Sequence, residues 1–312
     1  MTGDRSSTDG SSTSPTTPSP SSPPSGRGPS GSGSSGSRLL TKRALQDLAT
    51  RHGIHPSKAL GQHFLADANL AAAIARDAGA GPGRRFLEIG AGLGSLTVAL
   101  AEAGAEVLAL ELDRKLLSAL SEVTQGFPGV RILREDATKA DWGLLLGGRS
   151  WAMASNLPYN VAVPVVMDLL DHAPRVDPML VMVQREVGER LAAGPGHQQY
   201  GAVSVKVAFR ARARVIRRIP PPVFWPEPKV ESVLVSFERH PPPVQVPEQR
   251  LFPVIEEGFA QRRKTMANAL LRLGHPRDRV EAALAAVGLG EKVRAEELGL
   301  EAFAALAEAL DG

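Results

Sequence analysis

From residue 84 onward, short apolar segments alternate with stretches in which apolar residues recur every three or four positions. This alternation predicts strands followed by amphipathic helices, and therefore parallel β-α-β units. The predicted strands cover residues 85–90, 106–113, 129–137, 150–159 and 178–187. The predicted helices between them include 96–104, 115–123 and 161–172. We therefore expect an open, doubly wound α/β sheet.

The chain ahead of this region has a different pattern. Residues 1–38 are mostly Ser, Pro, Gly and Thr, so they have little to bury and predict a disordered tail. Residues 39–53 have helical spacing that stops at Gly53. A second helix is expected after a loop, where either Asp67 or Asn69 would cap it.

The chain beyond the predicted parallel strands changes pattern twice. Residues 213–219 and 229–238 alternate apolar and polar positions, which predicts two strands added at one edge of the sheet. A Pro-rich break at 240–247 then precedes three segments with helical spacing. These patterns predict three parts, a tail, an α/β domain and a small all-helical C-terminal domain, at residues 1–38, 39–240 and 248–312.

Composition restricts the possible chemistry. The 312 residues are 43% hydrophobic and 22% charged, as in an ordinary soluble protein, and no run of 18 apolar residues predicts a membrane span. The absence of cysteine excludes disulfides, iron–sulfur clusters and a cysteine nucleophile. No spacing among the seven histidines predicts a metal site. The N-terminal segment lacks the apolar stretch of a secretory signal.

Positive charge is concentrated in the second half of the chain, although the formal net charge is only +3. It clusters in RARARVIRR at 210–218 and in the triplet Arg262, Arg263 and Lys264. This distribution fits a nucleic-acid partner, and it equally fits a solvated basic face.

A glycine-rich turn, EIGAGLGSLT, follows the first predicted strand. Gly90, Gly92 and Gly94 allow a tight turn and a close approach to a ligand at the carboxyl ends of the strands. Ser95 stands where the dinucleotide fingerprint has its third glycine, which disfavours a nicotinamide dinucleotide. A tight turn without a ligand is the alternative interpretation.

Two acidic residues at the next strand ends favour a ligand. Glu111 ends the second strand, where a carboxylate reaches ribose hydroxyls, and Asp136 ends the third, where it would accept a hydrogen bond from an adenine amino group. Each acid alone is as readily explained as a solvated strand cap. Together with the glycine turn they predict one pocket for a ligand that contains adenosine.

The fourth predicted strand ends in Asn156-Leu157-Pro158-Tyr159. The Asn156 amide carbonyl and the Leu157 peptide carbonyl are two acceptors held in a stiff proline turn. Two acceptors can bind both hydrogens of an amino group and turn its lone pair towards an electrophile, while Tyr159 offers a ring on which a base can stack. The cluster predicts methylation of an exocyclic amine on a base by S-adenosyl-L-methionine. A strand-ending turn with an aromatic core residue is the alternative.

The chain resembles the KsgA/RsmA-type small-subunit rRNA adenine dimethyltransferases in a series of motifs that follow the family's order: GQHFLADANL, EIGAGLGSLT, ALELD, EDA, NLPYN, VQREVGERL, YGAVSV, FWPEPKVES and FAQRRKTMANAL. The resemblance runs from about Lys58 to the C-terminus. It implies a Rossmann-like S-adenosyl-L-methionine-dependent methyltransferase with a small helical C-terminal domain. It also implies dimethylation of the 6-amino groups of two adjacent adenines in the 3′-terminal hairpin of 16S rRNA within the small ribosomal subunit.

The resemblance further implies roles for single residues. His63, which stands where the family usually has Asn, and Leu65 would touch the cofactor. The implied cofactor-binding set is His63, Leu65, Gly90, Gly92, Glu111, Asp136 and Asn156. The implied catalytic set is Asn156, Leu157, Pro158, Tyr159 and Phe224, with Phe224 stacking on the other side of the extruded adenine. Phosphate contacts are expected from Arg210, Arg212, Arg214, Arg217, Arg218, Arg262, Arg263 and Lys264.

Three other functions stay open at this point. A resistance methyltransferase acting on adenine in large-subunit rRNA would share the glycine and NLPY turns, although RRKTMANAL and YGAVSV fit the small-subunit group better. A non-catalytic assembly factor on the same fold is a second alternative, and a nicotinamide oxidoreductase is a distant third. We expect a cytoplasmic monomer that acts on an assembling small subunit and uses neither a membrane nor a metal.

Overall fold

The structure, a computed structural model, describes residues 37–57, 61–261 and 263–310. Arg262 and almost all of the predicted tail lie outside these residues. Ser37 and Arg38 are described and already contact the folded part. The guanidinium of Arg38 donates to the Gln125 carbonyl over 2.6 Å and lies 4.6 Å from the centre of the Phe127 ring.

The described residues contain twelve α-helices and two short 3₁₀ turns. The helices are α1 (Lys42–Arg51), α2 (Ala68–Asp77), α3 (Ser95–Glu102), α4 (Arg114–Thr124), α5 (Trp142–Leu146), α6 (Ala162–His172), α7 (Arg185–Ala192), α8 (Ala202–Arg210), α9 (Glu248–Ala260), α10 (Met266–Arg272), α11 (Arg277–Ala286) and α12 (Leu300–Ala309). In this part of the chain, no helix is long and apolar enough to cross a membrane.

The strands of the described residues are β1 (Phe64–Leu65), β2 (Arg85–Ile89), β3 (Glu106–Leu110), β4 (Val130–Leu133), β5 (Trp151–Asn156), β6 (Val176–Gln184), β7 (Ala211–Ile219), β8 (Phe224–Trp225) and β9 (Ser232–Arg239). Seven of them form one sheet in the order β4-β3-β2-β5-β6-β9-β7. The first five strands in this order are parallel, and β9 and β7 are antiparallel additions. The predicted doubly wound sheet with a β-pair at one edge is confirmed.

The order of the strands reverses between β2 and β5, which are neighbours in the sheet. In open α/β sheets a crevice forms at such a reversal, past the carboxyl ends of the strands. The glycine turn follows β2 and the NLPY turn follows β5. The topology therefore places the two predicted turns side by side at the reversal point.

Acidic and hydroxyl side chains begin several of the helices. The Asp67 carboxylate accepts a hydrogen bond from the Leu70 amide over 2.8 Å, so Asp67 is the cap of α2, and Asp113 caps α4 in the same way. By contrast, α3 follows Gly94, which has a φ of +89° and no capping side chain. The N-terminal amides of α3 therefore face the ligand end of the sheet without a local side-chain acceptor.

Some elements differ from the pattern of the sequence. The helical spacing of 252–273 is interrupted after Ala260, because the Thr265 hydroxyl accepts from the Asn268 amide (3.4 Å) and starts α10. Helix α8 has no single apolar face: Val207 packs with the sheet, whereas Val205 and Phe209 pack with the C-terminal helices. An element buried on two sides has no amphipathic period, so α8 was not predicted.

Arg210 lies at the junction between the sheet and the C-terminal helices. Its guanidinium pairs with Asp171 and with Glu248, the latter at 2.8 Å, and lies 4.7 Å from the centre of the Phe252 ring. Its side chain is only 8% exposed. The expectation that Arg210 binds phosphate is therefore wrong, because two carboxylates and an aromatic ring already surround its charge.

Candidate active site

A cavity of about 920 Å³ opens at the carboxyl ends of β2, β3, β4 and β5. Its volume lies within the range of ordinary small-molecule sites. Ten of the residues predicted from the sequence line it: His63, Leu65, Gly90, Gly92, Glu111, Asp136, Asn156, Leu157, Pro158 and Tyr159. One cavity thus brings together residues that lie almost a hundred positions apart in the chain.

The glycine turn needs glycine for two reasons. Gly90 and Gly92 have φ values of +71° and +58°, a region that other residues rarely adopt. A Cβ atom at Gly90 would lie 3.0 Å from Pro158 Cδ, and one at Gly92 would lie 3.0 Å from Phe64 Cδ1. The glycine turn and the NLPY turn are therefore in direct contact, and a larger residue at Gly90 would separate them.

Glu111 spans the open side of the glycine turn. One carboxylate oxygen accepts from the Gly92 amide over 2.8 Å, and the other accepts from the Asp113 amide over 2.9 Å. Burial raises the pKa of Glu111, and the two backbone donors oppose that effect. Each oxygen keeps a second lone pair, so the fixed carboxylate can still accept hydrogen bonds from a pair of hydroxyl groups.

Asp136 is an ionised acceptor in the loop that follows β4. Its Oδ1 accepts from the Thr138 hydroxyl over 2.7 Å and from the Thr138 amide over 3.0 Å. These hydrogen bonds lower the pKa of Asp136. The carboxylate is therefore charged at neutral pH, and Thr138 holds it in one orientation.

The Asn156 side chain is oriented by the backbone of residue 63. Its Nδ2 donates to the His63 carbonyl over 3.0 Å. Because a peptide carbonyl can only accept, this bond identifies the NH₂ end of the Asn156 side chain and leaves Oδ1 as an acceptor. The Leu157 amide donates to the Met182 carbonyl over 3.1 Å, which ties the turn to β6. The turn therefore holds its acceptors in fixed positions.

The rings of Tyr159 and His63 are stacked, with centroids 5.3 Å apart and planes inclined by 29°. His63 Nδ1 donates to the Pro226 carbonyl over 2.7 Å. The Tyr159 hydroxyl is 3.1 Å from Ser232 Oγ. Burial raises the pKa of the Tyr159 hydroxyl, so it is neutral at physiological pH. One face of the tyrosine ring is thus covered by His63, and its far end is held by β9.

The structure does not bring Phe224 to the cavity. Phe224 is fully buried, with 0% of its surface exposed, and pairs with Leu65 in the two-stranded β1–β8 ladder. The next residue, Trp225, is partly exposed and packs on Phe64 at 6.2 Å between ring centres. Successive residues of a strand point to opposite sides, so Phe224 enters the core and has no face open to a base.

Three contributors to the site were not predicted. Glu88 is buried in β2, accepts from the Thr97 hydroxyl over 2.6 Å, and has a pKa raised by burial to about 8. The sequence feature that could have indicated Glu88 is its position as a single acid inside the apolar run RFLEIG. Asp113 accepts from Gln62 Nε2 over 3.1 Å and so ties the loop before β1 to the end of β3. Ser232 had no local signal, because its role depends on contact with Tyr159.

The described residues contain no group of three or more His, Cys, Asp or Glu side chains that could hold a metal ion. The cavity does contain three fixed acceptors: the Glu111 and Asp136 carboxylates and the Asn156 amide oxygen. Such a set recognises hydroxyl and amino groups.

Comparison with known proteins agrees with this geometry. Residues 55–311 match the ribosomal RNA adenine dimethylase family. The chain belongs to this family. Adenine dimethylases are transferases, and the observed Rossmann-like sheet with C-terminal helices is the fold expected for one. The match covers every element from the loop before β1 to the last helix.

Similar members of the dimethylase family carry the name ribosomal RNA small subunit methyltransferase A. The protein of that name from Kineococcus radiotolerans is 43% identical over 272 residues, covering 86% of this chain and 91% of the relative. The one from Moorella thermoacetica is 40% identical over 274 residues, covering 84% and 95%.

Two solved structures have the same fold. The 23S rRNA methyltransferase ErmE is 26% identical with a TM-score of 0.63, and the match covers 80% of this chain and all of ErmE. A dimethyladenosine transferase from Plasmodium falciparum is 22% identical with a TM-score of 0.66, covering 78% of this chain and 96% of that one. The second likeness supports the fold alone.

Proposed function

We propose that this member of the dimethylase family transfers methyl groups from S-adenosyl-L-methionine to the 6-amino groups of two adjacent adenines in the 3′-terminal hairpin of 16S rRNA. One observation carries the proposal. The Asn156 amide, whose oxygen is left as an acceptor by its bond to the His63 carbonyl, stands in a turn that touches the glycine turn of the cavity.

The residues of the cavity fit this cofactor. Gly90 and Gly92 line the cavity and, having no side chains, leave their backbone accessible to a bound ligand. Glu111 would accept from two ribose hydroxyls, and Asp136 would accept from the adenine amino group. When bound, S-adenosyl-L-methionine supplies an electrophilic methyl carbon: a nitrogen–carbon bond forms as the carbon–sulfur bond breaks and its electron pair passes to sulfur.

The NLPY turn would prepare the amine. In the first transfer, Asn156 Oδ1 and the Leu157 carbonyl accept its two hydrogens, which takes the lone pair out of conjugation with the ring and turns it towards the methyl carbon. In the second transfer, one of the two acceptors binds the single hydrogen that remains. These acceptors act by position, since Asn156 Nδ2 and the Leu157 N–H, by donating to the His63 and Met182 carbonyls, already hold the two residues in place. Tyr159 would stack on the extruded base, on the face that His63 does not cover. The nitrogen releases one proton to solvent for each methyl group that it gains.

The small subunit is the preferred substrate. Relatives named for the small subunit are 40% to 43% identical to this chain, whereas ErmE, named for 23S rRNA, is 26% identical. This difference supports 16S rRNA over 23S rRNA. We propose that the protein works in the cytoplasm as a monomer on assembling small subunits.

The test uses subunits from a strain that lacks this protein, with labelled cofactor. The wild-type protein should label small subunits and leave large subunits unlabelled. Asn156→Ala should lower kcat about 100-fold or more, because it removes one of two pre-aligned acceptors. Asn69→Ala, which removes an exposed amide on α2, is the matched control and should keep the wild-type rate.

Two results would contradict the proposal. Label in the large subunit only would exclude the small-subunit substrate. Normal dimethylation by Asn156→Ala would show that the turn does not prepare the amine and would favour a non-catalytic role for the site.

A further inference from the structure

The edge strand β7 presents arginines that the rest of the fold does not use. Within the described residues, β7 is paired on one side only, with β9. Arg212, Arg214 and Arg218 are exposed, and none of the ion pairs formed among the described residues includes them. Arg217 differs from them, because its guanidinium lies 2.5 Å from the Asp77 carboxylate. Three unpaired cations therefore remain on one strand.

These arginines border the edge on both faces of the sheet. Residues paired across antiparallel strands point to the same face. Arg214 is opposite Ser236, and Arg212, on the same face two residues earlier, is opposite Glu238, with which it forms no ion pair. A bulge at Ile216 then shifts the register, so Arg218 is opposite Val233, whose side chain faces α7. The positive charge thus follows the edge itself.

The β7 edge ends close to the NLPY turn. The last residue of β7, Ile219, is opposite Ser232, whose hydroxyl is 3.1 Å from the Tyr159 hydroxyl. Three strand spacings separate β7 from β5, or about 14 Å, and residues 212–218 extend along the edge for about 20 Å. Arg218 lies nearest the NLPY turn, and Arg214 and Arg212 lie progressively further from it, towards the start of β5. An RNA with one base at the turn could therefore follow the strand with successive phosphates.

Protection against edge-to-edge pairing is a simpler use of charge on an edge strand. In β7 the bulge at Ile216 already interrupts the edge and increases its twist. Moreover, every basic residue of β7 is arginine, the side chain whose planar fork matches a phosphate with two hydrogen bonds. The composition of the strand therefore favours phosphate as the partner.

We propose that the exposed edge of β7 is a docking surface for the RNA backbone, with Arg218 binding a phosphate near the target adenines and Arg214 and Arg212 binding phosphates further along the RNA. The inference rests on the proposed function, since it takes the RNA to be the substrate of the neighbouring site. The surface sets affinity for RNA and takes no part in the chemical step.

The test compares two triple variants of the full chain. R212Q/R214Q/R218Q removes the edge charges. R84Q/R131Q/R149Q removes three exposed arginines at the amino ends of β2, β4 and β5, on the side away from the cavity. The binding of an RNA hairpin with two adjacent adenines in its loop is measured by fluorescence anisotropy, from about 50 to about 200 mM salt. KM and kcat are then measured on small subunits.

The edge variant should bind the hairpin about tenfold or more weakly at low salt. Its plot of log affinity against log salt should be less steep by about 2 to 3, because three phosphate contacts are lost. KM for subunits should rise with kcat nearly unchanged. The control variant should retain the wild-type slope. R212K/R214K/R218K keeps the charges and should also retain most of the slope.

Several results would overturn the proposal. An equal loss in both glutamine variants would indicate a general charge effect, and an unchanged slope in the edge variant would exclude phosphate contacts. If the lysine variant bound RNA as weakly as the glutamine variant, the loss would come from altered structure and not from the lost charge. Normal hairpin binding with weakened subunit binding would indicate an acidic protein partner instead. Since hairpin binding needs no methyl transfer, failure of the proposed function appears separately, as a wild-type protein that binds RNA without methylating subunits.

Discussion

Replacing Glu88 with Gln should remove a pH dependence of stability that the buried carboxyl group imposes. Glu88 is only 2% exposed and lies in β2, directly below the glycine turn. Burial is the main reason why its pKa rises from 4.5 to about 8, and the nearby Glu111 adds to the effect. The Thr97 hydroxyl, 2.6 Å away, only partly opposes it.

Proton binding determines whether the stability rises or falls with pH. The folded protein keeps this proton up to about pH 8, whereas the unfolded chain releases it near pH 4.5. Stability from this group is therefore complete below pH 4.5 and is lost as the pH rises towards 8. At about 1.4 kcal/mol per pKa unit, the total loss is about 5 kcal/mol, and about 3 kcal/mol of it has occurred by neutral pH.

Glu88→Gln is neutral at every pH, and its amide oxygen can still accept from Thr97. Urea unfolding from about pH 5 to about pH 8 should show that the wild-type protein loses several kcal/mol more than the variant across this window. Any cost of the new amide, about 2 kcal/mol, applies at every pH, so the slope decides the outcome. The exposed Glu238→Gln is the control and should follow the wild type. If the free energies of unfolding of the wild type and of Glu88→Gln changed in parallel with pH, the assignment of a neutral buried carboxyl would be refuted.

Two further substitutions test the contacts that hold the site. Gly90→Ala places a Cβ atom 3.0 Å from Pro158 Cδ at a φ of +71°. Single-turnover methyl transfer should therefore slow about tenfold or more, and the free energy of unfolding should fall by about 1–3 kcal/mol. A wild-type rate would contradict the contact between the turns. Arg239→Ala should lower the free energy of unfolding in urea by about 3 kcal/mol, because the guanidinium satisfies carbonyls at and after the end of α6. Arg239→Lys should recover only part of that loss, and a loss below about 1 kcal/mol for Arg239→Ala would be inconsistent with this role. The carbonyls concerned belong to Leu169, Leu170, Ala173 and Val176.

Most of the cavity was predictable because its residues occupy strand ends. Glu111, Asp136 and Asn156 each follow a short apolar run, and parallel strands bring their carboxyl ends to one edge of a sheet. The glycine turn was visible from its composition alone. What these local signals did not predict is how tightly the parts fit. The contact between Gly90 and Pro158 arises because β2 and β5 are adjacent, and this adjacency is a property of the strand order.

The amino-acid sequence by itself determined the alternation of strands and helices, the glycine turn and the chemistry of the NLPY acceptors. These features depend on backbone preferences and on residues a few positions apart. Only the tertiary structure decided that Phe224 enters the core, that Arg210 serves an internal ion pair, and that Ser232 holds Tyr159. Each of these outcomes depends on partners 38 or more positions away in the chain, as for Arg210 and Glu248, so no local pattern could encode them.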